Sequence, residues 1–133
     1  MSQKNVEVVR QFYDAYNARD GAAWSGLIAD DFRFESAFVG VEGRVYEGAS
    51  GFTRYFADLG EAWEHFSLEL QELLEAGQDR VLGLMKVHGR GRASGVEIDP
   101  SIAAVFHLRN GKLIPLETFM DPSEAIDAVG LSE

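Results

Sequence analysis

The sequence contains no cysteine, which removes thiol nucleophiles, cysteine-bound zinc and any disulfide framework from consideration. Basic residues are scarce: 12 Lys and Arg stand against 22 Asp and Glu, for a net charge of -10. Such a chain repels a phosphate backbone or an anionic bilayer surface, so neither nucleic acid nor membrane is an expected partner. No apolar run approaches the ~18 residues a membrane helix needs, and Met1 to Arg10 lacks the charged-then-apolar order of a secretory signal. A cytoplasmic protein is the expectation. What is present, 133 residues at 46% hydrophobic and 26% charged, reads as one globular domain over 1–133. At this size roughly two thirds of the unfolded chain's surface can be buried without metal or disulfide staples.

Val6, Val9, Phe12, Tyr13 and Tyr16 recur at helical spacing between charged and polar residues, which predicts an amphipathic helix over Lys4 to Ala18. Asp20 is an N-cap candidate for a second, short helix carrying Trp24, Leu27 and Ile28. Alternation over Phe32, Phe34, Ser36 and Phe38 predicts a strand, followed by a loop marked by Gly40, Gly43 and Gly48. Phe52, Tyr55, Phe56, Leu59 and Trp63 then form an aromatic helical stripe, with Ser50 as its expected cap. Phe66, Leu68 and Leu70 alternate as a strand. Val81 to Arg92, Val96 to Arg109 and Lys112 to Met120 follow as extended segments, separated by the turn signals at Ala93-Ser94-Gly95 and Asn110-Gly111. A tail from Asp121-Pro122 to Gly130 reads as a short capped helix. Helices followed by an antiparallel meander is an α+β order, with the helices expected on one face of the sheet.

The last hairpin allows two registers. A two-residue loop places Ala104 opposite Glu117 and mixes apolar with charged groups on each face. A three-residue loop, Arg109-Asn110-Gly111 with Gly111 left-handed, gathers Ile102, Ala104, Phe106, Leu108, Ile114, Leu116, Thr118 and Met120 on one face. Burial favours the second. It leaves His107, Arg109, Pro115 and Glu117 on the opposite face, and by the same alternation Met85 and Val87 point inward while Lys86, His88, Arg90 and Arg92 point away.

Four stretches carry a resemblance over almost the whole chain. They are Tyr16-Asn17-Ala18-Arg19-Asp20, Ala29-Asp30-Asp31-Phe32, Gly89-Arg90-Gly91-Arg92 and Arg109-Asn110-Gly111-Lys112, with Asp121 after the last strand. In their order and spacing the chain resembles the SnoaL-like branch of the nuclear-transport-factor-2-like superfamily. The resemblance implies an α+β cone-shaped barrel, a curved mixed or antiparallel sheet wrapped around three N-terminal helices. It also implies an apolar cavity suited to a small hydrophobic molecule, and a homodimer through the outer sheet face that carries His107, Glu117 and His88. No cofactor is implied. The superfamily hosts isomerases, cyclases, hydrolases and non-catalytic adaptors, so the fold alone does not choose an activity.

Residue by residue, the ketosteroid isomerase pattern fails: its tyrosine falls on Phe12, its aspartate base on Ser36 and its protonated acid near Ala104. The base and the two hydrogen-bond donors that such an enzyme needs, one of them a carboxylic acid kept neutral, are absent from those positions. The Arg-x-Asp pair and second aspartate of limonene-type epoxide hydrolases fall on Met85-Lys86-Val87 and Thr118, and fail too. The SnoaL-like cyclase pattern leaves Asp121 and His107 as catalytic candidates, beside their plainer readings as a helix cap and an outward-facing histidine. His88, His107 and Glu117 have the ligand types of a metal centre, yet pairing puts the histidines about six residues, or roughly 20 Å, apart. No metal site is expected. The alternating Lys86, His88, Arg90 and Arg92 form a basic ladder able to hold an anionic group or to pair with acidic neighbours.

The expected ligand pocket is Phe12, Tyr16, Phe34, Ser36, Phe56, Trp63, Met85, Val87, Ala104, Phe106, Leu116, Thr118 and Met120, with Trp24 and Phe32 beside them. These residues support three functions: binding of a cyclic or polyketide-like molecule, catalysis as a polyketide cyclase or ketosteroid-isomerase-like enzyme, and non-catalytic homodimerisation around a filled core.

Overall fold

The structure is a computed structural model that describes residues 2–35, 45–77, 79–119, 121–128 and 130; the side chains of residues 2, 3, 35 and 115–119 lie outside that description. Helix α1 (Ser2–Ala18) buries Val9, Phe12, Tyr13 and Tyr16, the i, i+3, i+4, i+7 face expected of an amphipathic helix. It ends where Arg19 turns left-handed (φ 56°) and the Asp20 N–H returns to the Ala15 carbonyl at 2.9 Å. Asp20 then caps α2 (Gly21–Ser25), its carboxylate accepting from the Ala23 N–H at 3.1 Å.

Strand β1 (Arg33–Glu35) pairs antiparallel with β2 (Val45–Glu47). The sequence reading missed β2, because three residues within a glycine-rich stretch give no measurable alternation. Helix α3 (Gly48–Ala62) leaves β2 without a linker, and this corrects the expected cap: Glu47 precedes the helix with no side-chain cap bond, and Ser50 lies in the first turn. The abrupt entry explains Gly51, where a Cβ would stand 3.0 Å from the Tyr46 carbonyl carbon. Trp63 continues the helical stripe in sequence but is the first residue of β3 (Trp63–Glu75).

The main sheet runs β3, β4 (Arg80–Gly91), β6 (Ser101–Arg109), β7 (Lys112–Phe119), with β5 (Glu97–Ile98) on the far end of β4. Its strand pairs are antiparallel, and among the described residues its ends are not joined. The expected single segment Val96 to Arg109 is two strands. Asp99-Pro100 interrupts it, Pro100 offering no N–H and its carbonyl accepting from the Val87 N–H at 2.9 Å.

The last turn corrects the three-residue loop. Arg109 pairs with Lys112 around Asn110 (φ 55°) and Gly111 (φ 77°), a two-residue loop with both residues left-handed. That backbone matches strand twist, and it outweighs face-counting at the turn. Leu113, not Lys112, is therefore the partner of Leu108, and Ile114 pairs with His107 instead of Phe106. A bulge between Val105 and His107 then shifts the register, so that Ala104 pairs with Thr118. The expected sharing of a face by those two positions returns by a different route.

Helices α1 to α3 lie against the face carrying Val81, Met85, Val87, Ile102, Ala104, Phe106 and Leu108. A fourth helix, α4 (Pro122–Ala128), packs on the opposite face over Leu82, Ala103 and Val105 through Ala125 and Ile126. This corrects the expectation that the helices share one face; with so few apolar residues, the tail's periodicity could not say which face it covers. No helix among the described residues is long and apolar enough to cross a membrane.

Candidate functional site

The face between α1, α3 and the sheet collects nine of the expected pocket residues into one apolar cluster. Phe12 and Tyr16 come from α1, Phe34 from β1, Phe56 from α3, Trp63 from β3, Met85 and Val87 from β4, and Ala104 and Phe106 from β6. Phe34, Phe56 and Trp63 are only half-buried and mark its more open side. Trp63 lies over Gly89, where a Cβ would meet the indole at 3.1 Å, so any side chain on this strand residue would have to displace the ring. Ser36 and Met120 lie outside the described residues. The side chains of Leu116 and Thr118 do also, and of these two the register fixes only that Thr118 stands opposite Ala104.

The rings form a continuous system. Phe12 contacts Trp24, Phe32 and Phe106 at centroid separations of 5.5, 6.3 and 5.5 Å, mostly tilted or edge-on as ring quadrupoles prefer. Trp24 continues to Phe52 at 4.3 Å and Phe34 at 6.1 Å, and Phe34 to Tyr55 at 4.9 Å.

Polar groups interrupt this system at several points, of which two bear on a ligand; elsewhere the Tyr13 hydroxyl meets the Met85 sulfur at 3.4 Å and the Tyr46 hydroxyl donates to Asp58 at 2.7 Å. The Tyr16 and Tyr55 hydroxyls are hydrogen-bonded at 2.6 Å, both on buried side chains. Burial, and then the neighbouring Tyr55, push the Tyr16 hydroxyl well above its ordinary pKa, so it stays neutral and retains a proton to donate. The second point is Trp24, 1% exposed, whose indole N–H has no hydrogen-bond partner among the described residues. A buried donor left unpaired costs about 1–3 kcal/mol. Beside the tyrosine pair, Arg19 bonds the Tyr16 and Phe66 carbonyls at 2.8 and 2.6 Å and lies over the Phe56 ring at 4.4 Å.

The sequence reading included Tyr16 but omitted Tyr55 from the pocket. The signal was available, since Tyr55 adjoins Phe56 on the α3 stripe, and a tyrosine on a buried stripe must place its hydroxyl against a partner. Of the catalytic candidates, Asp121 accepts from the Ser123 N–H and hydroxyl at 3.0 and 2.8 Å at the start of α4, the geometry of a cap. His107 is half-buried on the strand positions facing away from α1, paired in register with Arg80 and Ile114. Arg80 is eight residues along β4 from His88, roughly 27 Å, so the two histidines share no site. Among the described residues no cluster of three metal-ligating side chains occurs.

The outer ends of β3, β4 and β5 border an open cleft of about 550 Å³ lined by His65, His88, Arg90 and Glu97 among others. Two of its charged groups are paired within the chain: His88 bonds Glu69 at 2.7 Å, and Arg90 bonds Glu97. Arg90 holds the Glu97 carboxyl below its ordinary range. Two members of the basic ladder, His88 and Arg90, thus pair with acidic neighbours of their own chain, while Arg92 bonds the Gly60 and Trp63 carbonyls.

The profile of the SnoaL-like domain family matches residues 9–114, and the chain belongs to that family. Solved structures share the fold along nearly the whole chain. An NTF2-like protein from Burkholderia thailandensis is 28% identical, with 93% of this chain and 95% of that one covered and a TM-score of 0.77. TerC, co-crystallised with polyporic acid, is 18% identical with 95% and 98% covered, also at 0.77. A Sinorhizobium meliloti chain provisionally named a polyketide cyclase is 24% identical, with 84% and 93% covered and a TM-score of 0.65. No protein of curated function matches the chain.

Proposed function

We propose that this SnoaL-like protein binds a small hydrophobic molecule, cyclic or polyketide-like, on the aromatic face between α1, α3 and the inner side of the sheet. The observation that carries the reading is the Tyr16–Tyr55 hydroxyl pair, 2.6 Å apart inside a predominantly apolar ring system. Either hydroxyl can donate across the pair; in this reading Tyr55 donates to Tyr16 and Tyr16 donates to an oxygen of the ligand, and the first bond polarises the second. The rings supply the affinity and the hydroxyl supplies the orientation, the division of labour usual in such sites. Neither tyrosine is a base at neutral pH, so the pair can polarise a carbonyl but cannot by itself remove a carbon-bound proton. Binding is accordingly the leading function, with cyclase chemistry as the alternative. The proposal includes a homodimer through the outer sheet face beyond α4, where Lys86, His88 and Arg90 alternate beside Glu69 and Glu97. A surface whose charges are already largely paired within the chain presents little net repulsion to its own copy across a two-fold axis.

Native mass spectrometry of gently purified protein reads both parts together: the expected species is a dimer carrying a discrete small-molecule mass. Polyporic acid, the compound found with TerC, serves as the first titrant, followed by tryptophan fluorescence. Saturable binding is expected, with Tyr16→Phe weakening it about tenfold, the loss of one buried hydrogen bond. Unchanged affinity in Tyr16→Phe overturns the orienting role. A bare protein that binds no ring compound overturns the reading.

A further inference from the structure

The indole of Trp24 presents a difficulty for a purely structural account of α2. The ring is 1% exposed and is held by Phe12, Phe32, Phe34 and Phe52. None of the four phenyl rings offers the N–H a lone pair, and a phenylalanine at the centre would fill most of the space without a polar atom. Its backbone is fully engaged: the Trp24 N–H bonds the Asp20 carbonyl at 3.0 Å, and the Trp24 carbonyl accepts from Leu27 at 3.0 Å. Only the indole Nε1 is without a partner among the described residues. It is a donor and never an acceptor, so whatever satisfies it must bring a lone pair. The surroundings are aromatic and enclosed, which disfavours a full charge and selects a neutral oxygen.

We propose that the Trp24 indole N–H is a specificity donor, selecting ligands that carry a neutral carbonyl or hydroxyl oxygen on the ring inserted toward α2. This rests on the interior being a ligand site, and it deepens that reading. Tyr16 addresses one oxygen and Trp24 a second, so the favoured class is a ring oxygenated at two positions, as in quinones and hydroxy-ketones. A hydrocarbon of the same shape leaves both donors unpaired and is rejected by comparison.

The test uses two probes of matched shape, 1,4-naphthoquinone and naphthalene, on the full chain. The chain has no cysteine, so the quinone meets no thiol. Only two tryptophans occur, Trp24 and Trp63, so a ¹H–¹⁵N spectrum shows two indole signals, assigned with Trp63→Phe. The quinone is expected to move the Trp24 signal downfield and naphthalene to leave it in place. Trp24→Phe is expected to reduce quinone affinity about fivefold to tenfold while naphthalene affinity stays within about twofold. If both probes bind but the Trp24 signal is unmoved by the quinone, the donor role is overturned while the ligand site stands. An upfield Trp24 signal insensitive to either bound probe identifies an N–H resting on a ring face, and it overturns the donor role in the same way. If neither probe binds, the interior is packing alone and both readings fall. The spectrum of the unmutated protein decides the matter even if Trp24→Phe folds poorly.

Discussion

The two faces of the main sheet are buried by different chemistry. Beneath α4, the outer face is covered by Ala76, Leu82, Ala103, Val105 and Ala125, all nearly inaccessible and none with a polar side-chain atom. The inner face mixes aliphatic residues such as Val9, Ile102 and Leu108 with phenylalanine, tyrosine, tryptophan and methionine, and hydroxyls and an indole N–H are among them. The same strands supply both, and Val105 and Phe106 are adjacent residues pointing opposite ways. Where packing is the whole task, the chain uses small aliphatic residues that need no partner. The polar atoms on the other side are therefore an expense that packing did not require, and this contrast supports placing the ligand there.

The contrast is broken most forcefully by truncating one residue on each face. Phe106→Ala removes a ring that touches Phe12 and Tyr13 at centroid distances of 5.5 and 5.6 Å. It is expected to cost about 3–5 kcal/mol in urea unfolding and to reduce ligand binding as well. Leu82→Ala, on the outer face, is expected to cost about 2–5 kcal/mol by the same measurement and to leave ligand affinity unchanged. Equal loss of binding in both variants shows that the faces are not independent, and removes the contrast as an argument for function.

A smaller effect is expected at the edge of the sheet, and it concerns what the four signature stretches do. Asn17 donates from its side-chain amide to the Leu68 carbonyl at 2.7 Å and accepts from the Leu68 N–H at 2.9 Å, as a neighbouring strand would. With Arg19 on the Phe66 carbonyl, it closes part of the open edge of β3. Asn17→Ala is expected to cost about 1 kcal/mol, water replacing part of the lost bonds, and to raise the aggregation rate seen by light scattering. Binding on the inner face stays unchanged if the stretch is purely structural. A binding defect without a stability defect moves Asn17 into the site.

The sequence made the fold legible through these structural devices more than through any chemistry. Arg92 bonds the Gly60 carbonyl at 2.9 Å and ties the end of β4 to the end of α3. Asn110-Gly111 makes the last turn, and the residues flanking it hold the α2–β1 connection: Lys112 bonds the Gly26 carbonyl, and Leu113 exchanges backbone bonds with Leu27 and Ala29. A signature built from tethers identifies an architecture shared by many activities, which is why it names a family and no reaction. What escaped the sequence reading was non-local. The bulge at Val105 to His107 reverses a register that period-two counting treats as constant. Trp63 changes from helix to strand with no break in hydrophobic spacing. The Tyr16–Tyr55 pair joins residues 39 positions apart, a contact no local pattern records.

The smallest expected effect is at one of those tethers. Arg109 grips both Asp31 carboxylate oxygens, at 2.8 and 3.2 Å, and its hydrogen bond, more than its charge, holds Asp31 below the ordinary value of 3.8. Because the folded-state pKa is depressed, the contribution is present at neutral pH and above the unfolded value, and is lost as pH falls through the folded one. Asp31→Asn should therefore lower the unfolding midpoint slightly at pH 7, and the gap should narrow below the ordinary carboxylate range until it closes in acid. Both partners are solvent-exposed, so added salt should shrink the gap as well. If the gap persists unchanged at acid pH, the carboxylate charge is not what joins the two segments. The backbone exchange of Leu113 with Leu27 and Ala29 then carries the connection alone, and the arginine in the last signature stretch is left without a mechanical role.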